Sequence, residues 1–449
     1  MTNTNNIVSG SIIGTVVSLA VPVVLGMFLE FALSVTDFYW VGRLGPVAQD
    51  AVTSSMVVIW TVFATSSIIS IGITALVSRH VGAGDLDRAS FYTRQGLILA
   101  ALIYGAVTVV GYYCTPFVLA FMETGEQTFI MAVPYLRIFF LSTLFLGFAQ
   151  TSYATFRAAG DTITPTVVGC IAVALNMVLD PLLIFGLGPL PALGVPGASL
   201  ATAISMACAA SLILWRLFGG KSGFRVDGIL RTSPHPASLF KIARIGLPIA
   251  SQHIVFGMVY WFLIRVVHRF GEHAGAAMGI GNRMESLSYL TCYGLSVAAS
   301  TMVGQNLGAK NPDRAARCAW GASGLALGIT LIITIVFVTL PRSIAAVFTD
   351  DPEVLKIAAD YLIILGISQS AMAIEIVLEG AFSGAGDTIP PMVVMVPGAV
   401  ARIPLAYYLA FNLGWGINGV WWTLTITSVV KALVFAYWFK LGRWKGKKI

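Results

Sequence analysis

A chain of 449 residues that is 57% hydrophobic and only 10% charged, with a mean hydropathy of +0.85, has too few polar groups to cover a water-facing surface. A soluble domain carries about 25% charge, so lipid must be the solvent here, and the net charge of +7 concerns membrane orientation before any partner. The basic residues sit in short loops between apolar runs, which argues against a nucleic-acid partner.

A membrane-spanning helix needs about 20 apolar residues. Twelve runs meet that length: 12–41, 50–79, 94–121, 128–157, 163–186 and 194–217, then 241–269, 275–305, 318–344, 353–382, 390–412 and 416–440. The first follows a terminus with no basic n-region and is too long for a signal-peptide core, so it is expected to remain as a span. The fold class expected is an all-α integral membrane protein, twelve transmembrane helices in two pseudo-symmetric six-helix bundles. The lobes are 1–225, with the start of a cytoplasmic linker, and 226–449. The longest polar connection holds Arg216, Lys221, Arg225, Arg231, Lys241 and Arg244, and the tail adds Lys440, Arg443, Lys445, Lys447 and Lys448. Alternate loops carry acids instead: Glu123 and Glu126, then Asp350, Asp351 and Glu353. The positive-inside rule puts both termini and the central loop in the cytoplasm. The five cysteines show neither paired spacing nor a metal pattern and read as small buried hydrophobes.

The two sets of spans are copies. Pro22 meets Pro248 at an offset of 248 − 22 = 226. At the same offset Arg43 meets Arg269, Gly45 meets Gly271, and Asp87-Arg88-Ala89 meets Asp313-Arg314-Ala315. The block from Phe156 to Pro165 likewise meets Phe382 to Pro391. Beyond a small insertion near Gly188, Gly194 and Gly197 pair with Gly416 and Gly419. Six spans separate equivalent positions, so the repeats are parallel and related by an axis along the membrane normal. Two like lobes that rock about a central seam form a transporter architecture.

Scaffold positions repeat, but the charges do not. Asp37 closes the first span and falls opposite Leu263; Glu30 lies seven residues earlier, close to two helical turns, on roughly the same face. In the fifth span Asn176 and Asp180, at i and i+4, share a face and fall opposite Arg402 and Ala406. Thr202 of the sixth span could add a hydroxyl. An ionised carboxylate in a bilayer must be paired, hydrated or ion-bound. Asp37, Asn176, Asp180 and Thr202 form an all-oxygen set suited to Na⁺, while close carboxylates in low dielectric equally favour a shared proton. Sodium and proton are rival occupants of that pocket. The second lobe has Glu285 in the eighth span and Glu375 with Glu379 in the tenth as cavity acids, with Arg402 as an ion-pair partner for one of them. Glu285, near the start of its span, reads alternatively as surface charge. Acids beside Phe38, Tyr39, Trp40, Tyr260, Trp261 and Tyr289 would attract bulky organic cations. Pro22 and Pro248 each interrupt the hydrogen bonding of a lobe's opening span and read as either hinges or static kinks. No Walker motif, zinc pattern or nucleophile elbow occurs, so neither ATP-driven transport nor an enzyme is expected, and no cofactor.

Several stretches together resemble the multidrug and toxic compound extrusion (MATE) family over nearly the full length. They are Val35-Thr-Asp37 through Gly45, Gly281-Asn-Arg-Met-Glu-Ser286 with Gly294 to Ala299, Val303 to Gly308, Leu378-Glu-Gly-Ala381, and the turns Ala158-Ala-Gly-Asp-Thr162 and Gly384-Ala-Gly-Asp-Thr388. The resemblance implies a prokaryotic plasma-membrane antiporter with two six-helix bundles in a V, exporting small organic cations in exchange for Na⁺ or H⁺. It places the first-lobe cation site on Asp37, Asn176, Asp180 and Thr202, and second-lobe acids on Glu285 and Glu379. The only other partner expected is membrane lipid, and the protein is expected to work as a monomer. Two departures stand out. The seventh span, from Leu247 to Phe256, has no acid, which argues against a second-lobe sodium site; and Glu30 stands where an amide is common, making it a candidate second proton site. The alternative reading is a flippase for lipid-linked precursors, but that function calls for a basic cavity, and here the buried charge is mostly acidic.

Overall fold

The computed structural model describes residues 4–186, 191–220, 222–227 and 232–449. The insertion expected near Gly188 and the linker residues Lys221 and Arg231 lie outside the described residues. In chain order the helices are α1 (Thr4–Ser9), α2 (Ile12–Gly42), α3 (Pro46–Gly82), α4 (Leu86–Phe121), α5 (Glu126–Ala158), α6 (Ile163–Phe185) and α7 (Val195–Phe218). They continue with α8 (Pro236–His268), α9 (Glu272–Gly308), α10 (Pro312–Thr339), α11 (Pro341–Ala346), α12 (Pro352–Ala385), α13 (Ile389–Val400), α14 (Arg402–Tyr407) and α15 (Ile417–Lys440).

The repeat extends to the helix ends. Adding 226 to the start and end of α3 gives the start and end of α9, and adding it to the starts of α4, α5 and α6 gives those of α10, α12 and α13. The local causes repeat as well. Asp85 caps α4 by accepting from the Arg88 N–H at 3.1 Å, and Asn311 caps α10 by accepting from the Arg314 N–H at 3.3 Å. Gly45 and Gly271 precede α3 and α9 with φ of 107° and 94°, a backbone region that L side chains rarely adopt. Asp351 caps α12 by accepting from the N–H groups of Glu353 and Val354, and those bonds hold its carboxyl below the usual range.

Eleven helical segments among the described residues are long and apolar enough to cross a membrane, with α13, α14 and the π-helical turn Tyr408–Asn412 counted as one. The twelfth expected span, α9, is long but below that apolar threshold, because Asn282, Arg283, Glu285 and many small residues dilute it. Large apolar side chains such as Trp60, Phe117, Phe121 and Leu433 are exposed, as lipid-facing groups must be.

Two spans differ from expectation. The run 318–344 is not one helix: α10 stops at Thr339 and α11 restarts at Pro341. Proline has no N–H to continue the ladder and pushes the residue before it, Leu340, out of helical geometry (φ −124°). The run 390–412 breaks at Ala401, where Pro404 denies the Val400 carbonyl its usual donor, and closes in the π-helical turn.

The chain folds as two compact units. The first runs from Pro22 to Gly246; the second joins Asn5–Val21 to Leu247–Ile449. Relative to the expected division at residue 225, each unit therefore takes in the opening third of the other lobe's first span, and the changeovers fall at Pro22 and beside Pro248. In the second unit Ile7, Val16, Leu19 and Ala20 pack against Leu295, Ala298, Met302 and Cys318. Asn306 and Arg314 donate to the carbonyls of Ile7 and Gly10, holding this segment in place. In the first unit the start of α8 crosses α3 at Gly72 and Gly246, where added Cβ atoms would collide with the Ile242 and Ile68 carbonyls.

In the second unit α9 and α12 make a similarly close crossing. Gly380 and Gly384, a small-xxx-small pair, lie against the carbonyls of Ser296 and Ser300. Gly384→Val must drive these helices apart, an overpacking that costs about 1–3 kcal/mol. The expected outcome is a clearly lower unfolding temperature of the detergent-purified protein. Gly328→Ala, at a position with open space around it, should leave that temperature unchanged.

Candidate functional site

In the first unit, α2 supplies Asp37, α6 supplies Asn176 and Asp180, and α7 supplies Thr202. The i, i+4 spacing on α6 aims Asn176 and Asp180 the same way, and both are buried, at 2% and 0% exposure. Hydrogen-bond chemistry fixes the Asn176 amide with its nitrogen toward the acids. It donates to Asp37 Oδ1 at 3.1 Å and to Asp180 Oδ2 at 3.2 Å, while its oxygen accepts from Thr202 Oγ1 at 3.2 Å. Sharing this one donor brings the Asp37 and Asp180 carboxyls close together. Asp180 Oδ1 is buried without a partner among the described residues. An apolar cluster including Val41, Val52, Ile184 and Ala198, with Trp40, Tyr135 and Phe185 against it, packs around these same helices. The four residues expected to form a cation site therefore meet at one place, with Asn176 and Asp180 buried and Asp37 and Thr202 half-buried. Among the described residues no three His, Cys, Asp or Glu side chains form a metal cluster; the donor set here is two carboxyls, an amide and a hydroxyl.

Glu30 does not join them. It is exposed, and the charge that acts on it is the Arg157 guanidinium of α5. Phe38 and Tyr39 are exposed, and Arg43 lies 5.1 Å from the Tyr39 ring.

The second unit has its own polar core, wired differently from expectation. Glu375 is not a free cavity acid: its Oε2 lies 2.8 Å from Lys431 Nζ, and both side chains are 4% exposed. Breaking a buried pair of this kind costs about 3–5 kcal/mol. Arg402 is not a carboxylate's partner either. It donates to Thr427 Oγ1 at 3.0 Å and Ser428 Oγ at 3.2 Å and faces the Phe256 ring at 5.7 Å. Among the described residues no carboxylate reaches salt-bridge distance from it, because the adjacent helix presents hydroxyls and Lys431 already holds Glu375. Glu379 accepts from the Gln252 amide at 3.1 Å, and Glu285 is half-buried, with Arg402 its nearest strong positive influence. Lys431 and Gln252 were missed in the sequence reading. A lone lysine midway along the run 416–440 was the available signal.

A multi-pass helical chain built as two repeats, each with charge buried in its interior, defines a membrane transporter. The MatE family profile matches residues 22–182 and again 248–408, two stretches at the same offset of 226. The chain belongs to the MatE family. It is 26% identical over 434 residues to the probable multidrug resistance protein NorM of Thermotoga maritima, covering 96% of this chain and 93% of that one. It is 23% identical over 443 residues to the FAD transporter of Shewanella oneidensis, covering 97% and 96%. A solved MOP superfamily transporter from Pyrococcus furiosus shares the fold, with a TM-score of 0.90 at 23% identity over 99% of this chain and 98% of that one.

Asn176 joins both acids to Thr202, so its loss should be felt in stability before any transport assay. Asn176→Ala strips a donor from two buried carboxyls, a change that costs about 1–3 kcal/mol. Thr202→Val removes only neutral bonds, to the Asn176 amide and the Ala198 carbonyl, and should cost about 1 kcal/mol. Thermal unfolding in detergent is expected to rank them in that order.

Proposed function

We propose that this protein is an ion-coupled antiporter of a bacterial plasma membrane, exporting small organic cations in exchange for H⁺ or Na⁺ by alternating access, with both termini cytoplasmic. The observation that carries this reading is the convergence of Asp37, Asn176, Asp180 and Thr202 in a pocket of the first unit. Such a group has no structural purpose that apolar residues would not serve better, and binding and releasing a cation gives it one.

The amide orientation separates the two ion states. Ionised carboxylates only accept hydrogen bonds, so an Asn176 nitrogen donating to both suits a pocket that holds no sodium ion. Two carboxyls this close can also share a proton. A sodium ion would be held by the oxygens of Asp37, Asp180, Asn176 and Thr202, which requires the amide to turn its oxygen inward. Proton and sodium therefore compete for the same two carboxyls. The multidrug-resistance relatives support drug export, the acids of the pocket suit a cationic cargo, and they are poorly suited to the diphosphate of a lipid-linked precursor.

Ethidium uptake into inside-out vesicles tests the reading. Wild type should accumulate ethidium under an imposed pH or Na⁺ gradient, and Asp37→Asn should lose at least tenfold of the initial rate. Undiminished transport by Asp37→Asn would remove the first-unit pocket from the mechanism and shift attention to Glu30 and the second-unit acids. Failure of wild type to move any cation would remove the antiporter reading itself.

A further inference from the structure

We infer that Lys431 is a built-in cation: its ammonium holds Glu375 and thereby removes from the second unit one position at which a free monovalent cation would exchange. The inference rests on reading the chain as a cation exchanger.

A carboxylate buried in a low-dielectric interior needs a proton, a metal ion or a fixed cationic side chain beside it. Glu375 has the third, at 2.8 Å. The Met395 sulfur, 3.7 Å from Nζ, closes another side of the ammonium. A proton or sodium ion can leave, but a tethered ammonium cannot, so the position is occupied at every stage of a transport cycle.

The pair is absent as a pair from the other repeat. At the 226 offset Glu375 corresponds to Ala149 (375 − 226 = 149), and at the 222 offset that follows the insertion (416 − 194 = 222) Lys431 corresponds to Ala209 (431 − 222 = 209). Both alanines are buried, at 5% exposure. Neither charge exists without the other. The surroundings are also fitted to the lysine: Gly398 lies against its stem, and a Cβ there would collide with Lys431 Cδ. The charged and titratable groups around the pair are Glu379 on α12, Arg402 on α14 and Glu285 on α9. Among the described residues, Glu379, one turn from Glu375, has the Gln252 amide as its direct partner. It and Glu285 are therefore the acids of this group left open to exchange.

The test counts ions on the full-length protein in nanodiscs, using ²²Na⁺ binding for sodium and the infrared band of protonated carboxyls for protons. Wild type, Lys431→Met and Glu375→Gln/Lys431→Met are compared. Lys431→Met should gain one bound Na⁺ per chain or one protonated carboxyl. The double variant should match wild type in both counts. The inference is overturned if folded Lys431→Met gains neither, or if the double variant loses an ion or a carboxyl band, since Glu375 would then already have been exchangeable. If Lys431→Met fails to fold, the double variant, with its neutral pair, still decides the question. Repeating the comparison in an Asp37→Asn background separates this inference from the functional reading. An unchanged count on Asp37→Asn alone counts against the first-unit site, while the gain on Lys431→Met stands or falls independently.

Discussion

The rest of the structure depends on one constraint: a charge held in lipid must be answered from within its own unit. Water is not available to solvate an unpaired carboxylate, and the desolvation cost is several kcal/mol per ion. The two units meet this constraint in opposite ways. In the first, two acids are joined by an amide and a hydroxyl. In the second, an acid is answered by a lysine. Except at Asn176, which falls opposite Arg402, each solution is replaced by apolar residues in the other copy. Asp37, Asp180 and Thr202 correspond to Leu263, Ala406 and Leu424, which are all buried members of one hydrophobic cluster. A duplicated scaffold has thus kept its helix ends, caps and turn glycines while its two interiors took on different chemistry.

Much of this was legible in the sequence, and for identifiable reasons. Span length and the 226 repeat depend on composition and spacing, which the sequence carries directly. Asn176 and Asp180 sit on one helix, so their shared face follows from 3.6 residues per turn. Asp37 could be joined to them because it too breaks the repeat, falling opposite Leu263. Partner choice between helices was not legible. Arg402 and Lys431 are both cations facing the same acids, and which one reaches Glu375 is decided by interhelical packing of a few ångströms. The same limit applies to Glu30, which shares a helical face with Asp37 but ends beside Arg157. The breaks at Pro341 and Ala401 depended on prolines that were plainly visible, but a run of apolar residues hides an interruption when only hydropathy is followed.

The wiring of the second unit bears on the energetics of exchange. An ion moving down 100 mV of membrane potential releases about 2.3 kcal/mol per charge. Exporting a monovalent cation against that potential requires the same amount, so a one-for-one exchange draws only on the concentration gradient of the coupling ion. Each exchangeable carboxyl that must be refilled per cycle changes this balance by a whole charge. With Glu375 held by a tethered ammonium, its charge is constant through the cycle and contributes nothing to the count. In the exchange proposed above, the net charge moved would then be set by the Asp37–Asp180 pocket, by Glu379 and Glu285, and by the cargo. Fewer exchangeable sites lower the driving force available per cycle. They also make export less dependent on membrane potential, and cargo and coupling ion can then compete directly for a small number of acids.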